Sequence, residues 1–132
     1  MQHVNSGEDN AQLTATLQVE EFNDAMFSMQ PDKFLGPNSF YPGFYQHFWN
    51  TCSANIYYER RQWLNEGQFS PSLNATNIAL FPKGNEHRSM KDWRPIALCN
   101  VLYKLVSKVL TNRLKKILYK CIAETQSVFV PG

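Results

Sequence analysis

Between Val101 and Cys121 the apolar residues Val101, Leu102, Leu105, Val106, Val109, Leu110, Leu114, Ile117, Leu118 and Cys121 recur at steps of three and four. That spacing closes into one stripe only on a helix of 3.6 residues per turn, so the rest of the chain must cover that stripe. Asn100 stands at the N-cap position, where a short polar side chain is favoured. Lys104, Lys108, Asn112, Lys115 and Lys116 fall on the other side, so the helix presents a row of ammonium groups opposite its apolar face. Such a row suits the phosphate backbone of a nucleic acid. A solvated face of an ordinary core helix would look the same.

Charge is unevenly divided along the 132 residues. From Lys83 to Lys120 ten Lys and Arg meet only Glu86 and Asp92, whereas residues 1–82 hold three cations against eight carboxylates. The net charge of +2 therefore hides an acidic first part and a basic second part.

Ahead of the basic helix lie two short apolar runs, Thr76 to Phe81 and Pro95 to Cys99, each of which fits a buried strand. Eleven residues separate Pro82 from Arg94. A hairpin of the two runs brings Lys83, at the end of the first, near Arg94, at the start of the second, and Pro95 biases Arg94 toward an extended backbone. Two cations at one loop root attract a polyphosphate, the guanidinium gripping two oxygens and the ammonium acting as a point charge. Two cations in a wet loop are the alternative.

Residues 1–18 read as a flexible segment, being polar and unpatterned over most of their length. Val19 to Met29 spaces Val19, Phe22, Ala25, Met26 and Met29 onto one helical face, with Glu20 and Glu21 in the first turn where the dipole favours anions. Gln30 to Phe40 carries turn chemistry. Pro42 opens a long helix that Gly67 ends, with Phe44, Phe48, Cys52 and Ile56 at steps of four and Tyr45, Trp49 and Trp63 beside them. This aromatic face reads as core rather than as a base-stacking platform, Arg60 and Arg61 being its only nearby cations. The chain is thus expected to be a helix-rich α+β unit with a two-stranded hairpin and a basic amphipathic helix. Cys52, Cys99 and Cys121 are widely spaced and the three histidines scattered, which suggests neither a disulfide framework nor a metal site. No apolar run reaches the length of a membrane span and no signal peptide is evident, so an intracellular setting is expected.

Residues 81–118, together with 31–49, 63–83 and the Gln-Ser-Val-Phe-Val-Pro-Gly of 126–132, resemble the N-terminal part of the reverse transcriptase of LINE-type, non-LTR retrotransposons, most closely the plant branch. The motifs are a Pro-Lys after an apolar strand, Arg-Pro-Ile about a dozen residues on, and a basic helix containing Asn-Arg-Leu. The resemblance implies that residues 19–132 are a partial reverse transcriptase domain, the fingers and the entry to the palm of a right-hand polymerase. It places the family's nucleotide- or template-contacting Lys and Arg on Lys83 and Arg94. It also implies RNA template and DNA primer as partners, Mg2+ for the complete enzyme, and a nuclear or cytoplasmic location. The family usually reads Lys-Ala-Pro-Gly-Pro-Asp-Gly-Phe where this chain has Lys33 to Phe40, so Asn38 and Ser39 replace an Asp and a Gly. The family's catalytic Asp residues follow the Val-Pro-Gly, so no catalytic or metal-binding residue is assigned here, and the 132 residues alone are expected to be inactive. Two other classes stand beside this one: a nucleic-acid-binding remnant without chemistry, and a degenerate copy without function.

Overall fold

In a computed structural model, residues 7–33, 40–86 and 88–121 are described here, apart from the side chains of Tyr119 and Cys121. Six helices and one hairpin succeed one another: α1 (Gly7–Thr14), α2 (Val19–Phe27), α3 (Pro42–His47), α4 (Trp49–Glu66), α5 (Pro71–Asn74), β1 (Thr76–Pro82), β2 (Trp93–Cys99) and α6 (Val101–Cys121). The described residues form a helix-rich α+β unit with one two-stranded antiparallel sheet.

The core lies where α2 crosses α6. Phe22, Ala25 and Met26 on α2 and Leu105 on α6 are fully buried, Val109 nearly so, and Val101, Val106, Trp49 and Ile56 complete the cluster. Those on α2 and α6 are the residues that helical spacing brings to one face of each helix. Edge-to-face packing of Phe22 on Tyr57, with ring centres 5.5 Å apart, ties α4 to the same core. The Tyr57 hydroxyl in turn donates 2.8 Å to the Leu17 carbonyl.

α2 starts on a reciprocal box in which the Gln18 N–H donates 2.8 Å to the Glu21 carboxylate. Past its other end the Gln46 amide of α3 donates to the carbonyls of Met26 and Met29, at 3.0 and 2.9 Å, which ties α3 to the exit of α2. Gly67 ends α4 with φ of 66°, the left-handed stop that glycine adopts without penalty.

Several elements depart from the sequence reading. Gly7–Thr14 is helical although the segment to residue 18 reads as flexible; α1 is held by contacts far along the chain, Asp9 being 5% exposed and bonded at 2.8 Å by Lys120. The expected helix from Pro42 is divided at Phe48, whose φ of −98° and ψ of 17° leave the helical region. Phe48 is exposed and Trp49 takes its place in the core. On α6, Leu110 and Leu114 are 43% and 48% exposed, so the stripe enters the core along only part of its width. Asn100 does precede α6, its carbonyl accepting the Lys104 N–H at 3.0 Å, but its side-chain amide turns away to the Ser72 carbonyl at 3.0 Å. Its side chain therefore ties α6 to α5 instead of capping α6.

The largest departure is the hairpin. Its strands pair antiparallel, Phe81 opposite Arg94 and Pro82 opposite Trp93, yet Ile78, Leu80, Phe81 and Ile96 are all exposed. Leu80 and Phe81 point to opposite faces of the sheet, so neither face is covered among the described residues.

Candidate phosphate and nucleic-acid surface

β1 and β2 bring Lys83 and Arg94 to the same end of the hairpin. The ladder runs one step past the strands, with the Lys83 N–H donating 2.8 Å to the Asp92 carbonyl. Lys83 thus directly follows the Pro82–Trp93 pair, two positions beyond the Phe81–Arg94 pair. Lys83 and Arg94 are both exposed. The Lys83 ammonium donates 2.6 Å to the Lys91 carbonyl, while the Arg94 guanidinium has no hydrogen-bond or ion-pair partner among the described residues.

Asp92 fixes the intervening loop. Its carboxylate accepts from the backbone N–H groups of Arg88 and Ser89, at 3.0 and 2.8 Å, and from the Ser89 hydroxyl at 3.2 Å. The Ser89 backbone bond, with smaller help from Arg88, the Ser89 hydroxyl and the nearby Lys83 charge, holds the carboxyl below its ordinary range. Asp92 thus shapes the loop root from which Lys83 and Arg94 project.

The four helix lysines do not form one continuous row. Lys104 and Lys108 are half-buried beside the end of α2, whereas Lys115 and Lys116 are exposed nearer the other end of α6. Eleven residues of helix separate Lys104 from Lys115, about 16 Å along the axis. Lys116 borders Glu21 and Arg113.

Arg113 escapes a reading based on charge rows, because it lies in the buried stripe, four residues from Val109 and four from Ile117. Its guanidinium grips both oxygens of Glu21, at 2.6 and 2.7 Å, and donates to the carbonyls of Leu13, Ala15 and Thr16. One side chain thus organises the passage from α1 to α2. The signal available in the sequence was a cation at apolar spacing, with Glu20 and Glu21 opening a helix in the acidic part. Bonding by Arg113 holds the Glu21 carboxyl below its ordinary value of 4.5, and the same bond raises Arg113.

This pair predicts an acid limb of stability. Glu21 resists protonation when folded, so its contribution is fully present above about pH 4.5 and is lost as pH falls through the lower folded value. The melting temperature of the wild-type chain should therefore fall more steeply below pH 4.5 than that of Glu21→Gln. Parallel acid limbs in thermal melts followed by circular dichroism would overturn this assignment.

Arg60 is the other buried cation. Its guanidinium lies 3.5 Å from the centre of the Trp63 ring and bonds Glu59 at 3.2 Å, while its Nε has no partner. Burial lowers its affinity for a proton, with the Glu59 charge opposing that shift. The arrangement fits an internal anchor on α4 and leaves Arg61 on the surface side. Burial likewise pushes the Cys52 thiol up, away from the range of reactive thiolates.

Among the described residues no three His, Cys, Asp or Glu side chains gather as a metal site would require, and no described helix is long and apolar enough to cross a membrane. The motif segment at residues 34–39, with Asn38 and Ser39, and the Val-Pro-Gly at the C-terminus lie outside the described residues.

The fold and surface define a small α+β unit with two cation groups on its exterior, at the hairpin end and along α6. No family model matches the chain. Its sequence is 30% identical over 120 residues to the transposon TX1 uncharacterized 149 kDa protein of Xenopus laevis. The match takes in 91% of this chain and 9% of that protein's length. The chain is related to a segment of a transposon protein.

Proposed function

We propose that the chain is part of a reverse transcriptase encoded by a non-LTR, LINE-type retrotransposon, in which it forms the fingers and the approach to the palm. It holds RNA template and DNA primer through Lys104, Lys108, Lys115 and Lys116, and it contacts nucleotide phosphates through Lys83 and Arg94. The observation that carries the reading is the similarity of 91% of the chain to a transposon protein. The hairpin register, which leaves the Arg94 guanidinium exposed beside Lys83 without a partner among the described residues, supports the nucleotide part. Arg94 offers the planar fork that a triphosphate's oxygens accept, and Lys83 adds charge. Mg2+ in such an enzyme stabilises the attacking and leaving oxygens of phosphoryl transfer. No described residue is assigned to hold it, because the described carboxylates do not cluster.

Binding of a fluorescent single-stranded RNA to the chain tests this reading. Affinity should fall steeply with salt, by a slope of about 0.7 per phosphate contact, because each neutralised phosphate releases counterions. Exchanging Lys104, Lys108, Lys115 and Lys116 for Glu should abolish binding with helix content unchanged. Binding that survives the exchange would make α6 an ordinary solvated helix and remove the nucleic-acid reading.

A further inference from the structure

At the end of α2 a cavity of about 350 Å3 is lined by Ser28, Met29, Gln30, Lys33, Pro42, Lys104 and Lys108. Three of these residues are lysines, and no carboxylate of the described residues lines the cavity. Lys104 and Lys108 come from successive turns of α6, whereas Lys33 comes from the segment after α2, 71 residues earlier in the chain. Three lysines line one recess, and an anion seated there would be attracted by all three charges.

A structural role for the lysines would be to complement the negative C-terminal end of α2. Neutral donors already fill that role. The Ala25 carbonyl takes the Ser28 hydroxyl at 2.8 Å, and those of Met26 and Met29 take the Gln46 amide. The ammonium groups of Lys33 and Lys108 have no hydrogen-bond or ion-pair partner among the described residues. Lys108 is nevertheless half-buried, so its charge sits where an incoming anion would be only partly screened by water.

We propose that Lys33, Lys104 and Lys108 form a discrete pocket for a phosphate group, filled by a backbone phosphodiester of single-stranded nucleic acid. This rests on the proposed nucleic-acid function and divides its basic surface in two: a walled recess that fixes one phosphate, and Lys115 with Lys116 as an open patch about 10–16 Å along the helix that attracts the strand without positioning it.

The test compares the wild-type chain with the triple variant Lys33→Gln/Lys104→Gln/Lys108→Gln, the double variant Lys115→Gln/Lys116→Gln, and Lys104→Arg/Lys108→Arg. Each is titrated with fluorescent single-stranded RNA across a range of salt, and with inorganic pyrophosphate. The triple variant should bind RNA at least tenfold more weakly, with a salt slope shallower by about 0.7, as expected for the loss of one neutralised phosphate. Its melting temperature should be unchanged, and the arginine variant should retain most of the affinity. RNA binding that persists in the triple variant but disappears in the double variant overturns the pocket while leaving the nucleic-acid function intact. A wild-type chain that binds no RNA overturns both. Pyrophosphate binding that the triple variant loses, without RNA binding by the wild type, assigns the recess to a small free anion instead of a strand. A marked fall in melting temperature in the triple variant, not rescued by arginine, makes the lysines structural and also overturns the pocket.

Discussion

Replacing Arg113 by methionine should lower the melting temperature of the chain by about 10 °C. The substitution keeps an unbranched side chain in the stripe of α6 but removes the bidentate bond to Glu21 and the bonds to the Leu13, Ala15 and Thr16 carbonyls. The Arg113 side chain is 12% exposed and that of Glu21 30%, so the carboxylate left behind is partly shielded from water and poorly compensated. Breaking a fully buried pair costs about 3–5 kcal/mol, and the partial exposure of Glu21 places this loss near the lower bound, about 3 kcal/mol. For a domain of this size that corresponds to roughly 10 °C. The double variant Arg113→Met/Glu21→Gln should recover part of the loss, because it removes the stranded charge as well. A shift within 2 °C for Arg113→Met would show that α1 and α2 are held without the guanidinium.

Truncating Phe22 to alanine should be more damaging, at about 3–5 kcal/mol, the range for removing a buried aromatic ring and leaving a cavity. Phe22 is fully buried and meets the edge of Tyr57, whose hydroxyl holds the Leu17 carbonyl at the entry to α2. The loss therefore spreads from the core to the α1–α2 connection. Phe22→Leu fills most of the space and should retain more than half of the difference. Urea unfolding followed by far-ultraviolet circular dichroism measures both variants, and equal midpoints for Phe22→Ala and wild type would remove Phe22 from the centre of the core.

The helices whose apolar spacing is local were legible in the sequence: α2, the stretch from Pro42 to its Gly67 stop though not its division at Phe48, and α6; the pairing of the two apolar runs into a hairpin was legible, its exposure was not. What escaped depends on partners far away in the chain. α1 shows no apolar pattern of its own, and its placement comes from Asp9 meeting Lys120 and from carbonyls meeting Arg113. Spacing could not show that Leu110 and Leu114 would face outward, because the width of a stripe does not say how much of it the neighbours cover. Lys83 and Arg94 could be placed together because a two-stranded hairpin has few registers. Lys33 could not be joined to Lys104 and Lys108 by any local rule, since only the antiparallel packing of α2 on α6 brings them to one recess.

The bare hairpin bears on how the chain comes apart. A two-stranded sheet without a packed face is marginal in water, and among the described residues this one is tied to the helices through Asn100 and the short turn of α5. β1 and β2 can therefore separate while α2 and α6 stay docked, which makes the chain two cooperative units of unequal strength rather than one. Amides of the hairpin would exchange with solvent through frequent small openings, and those around Phe22 and Leu105 only through global unfolding. The end of the molecule that carries Lys83 and Arg94 is then also the end that moves at least energetic cost.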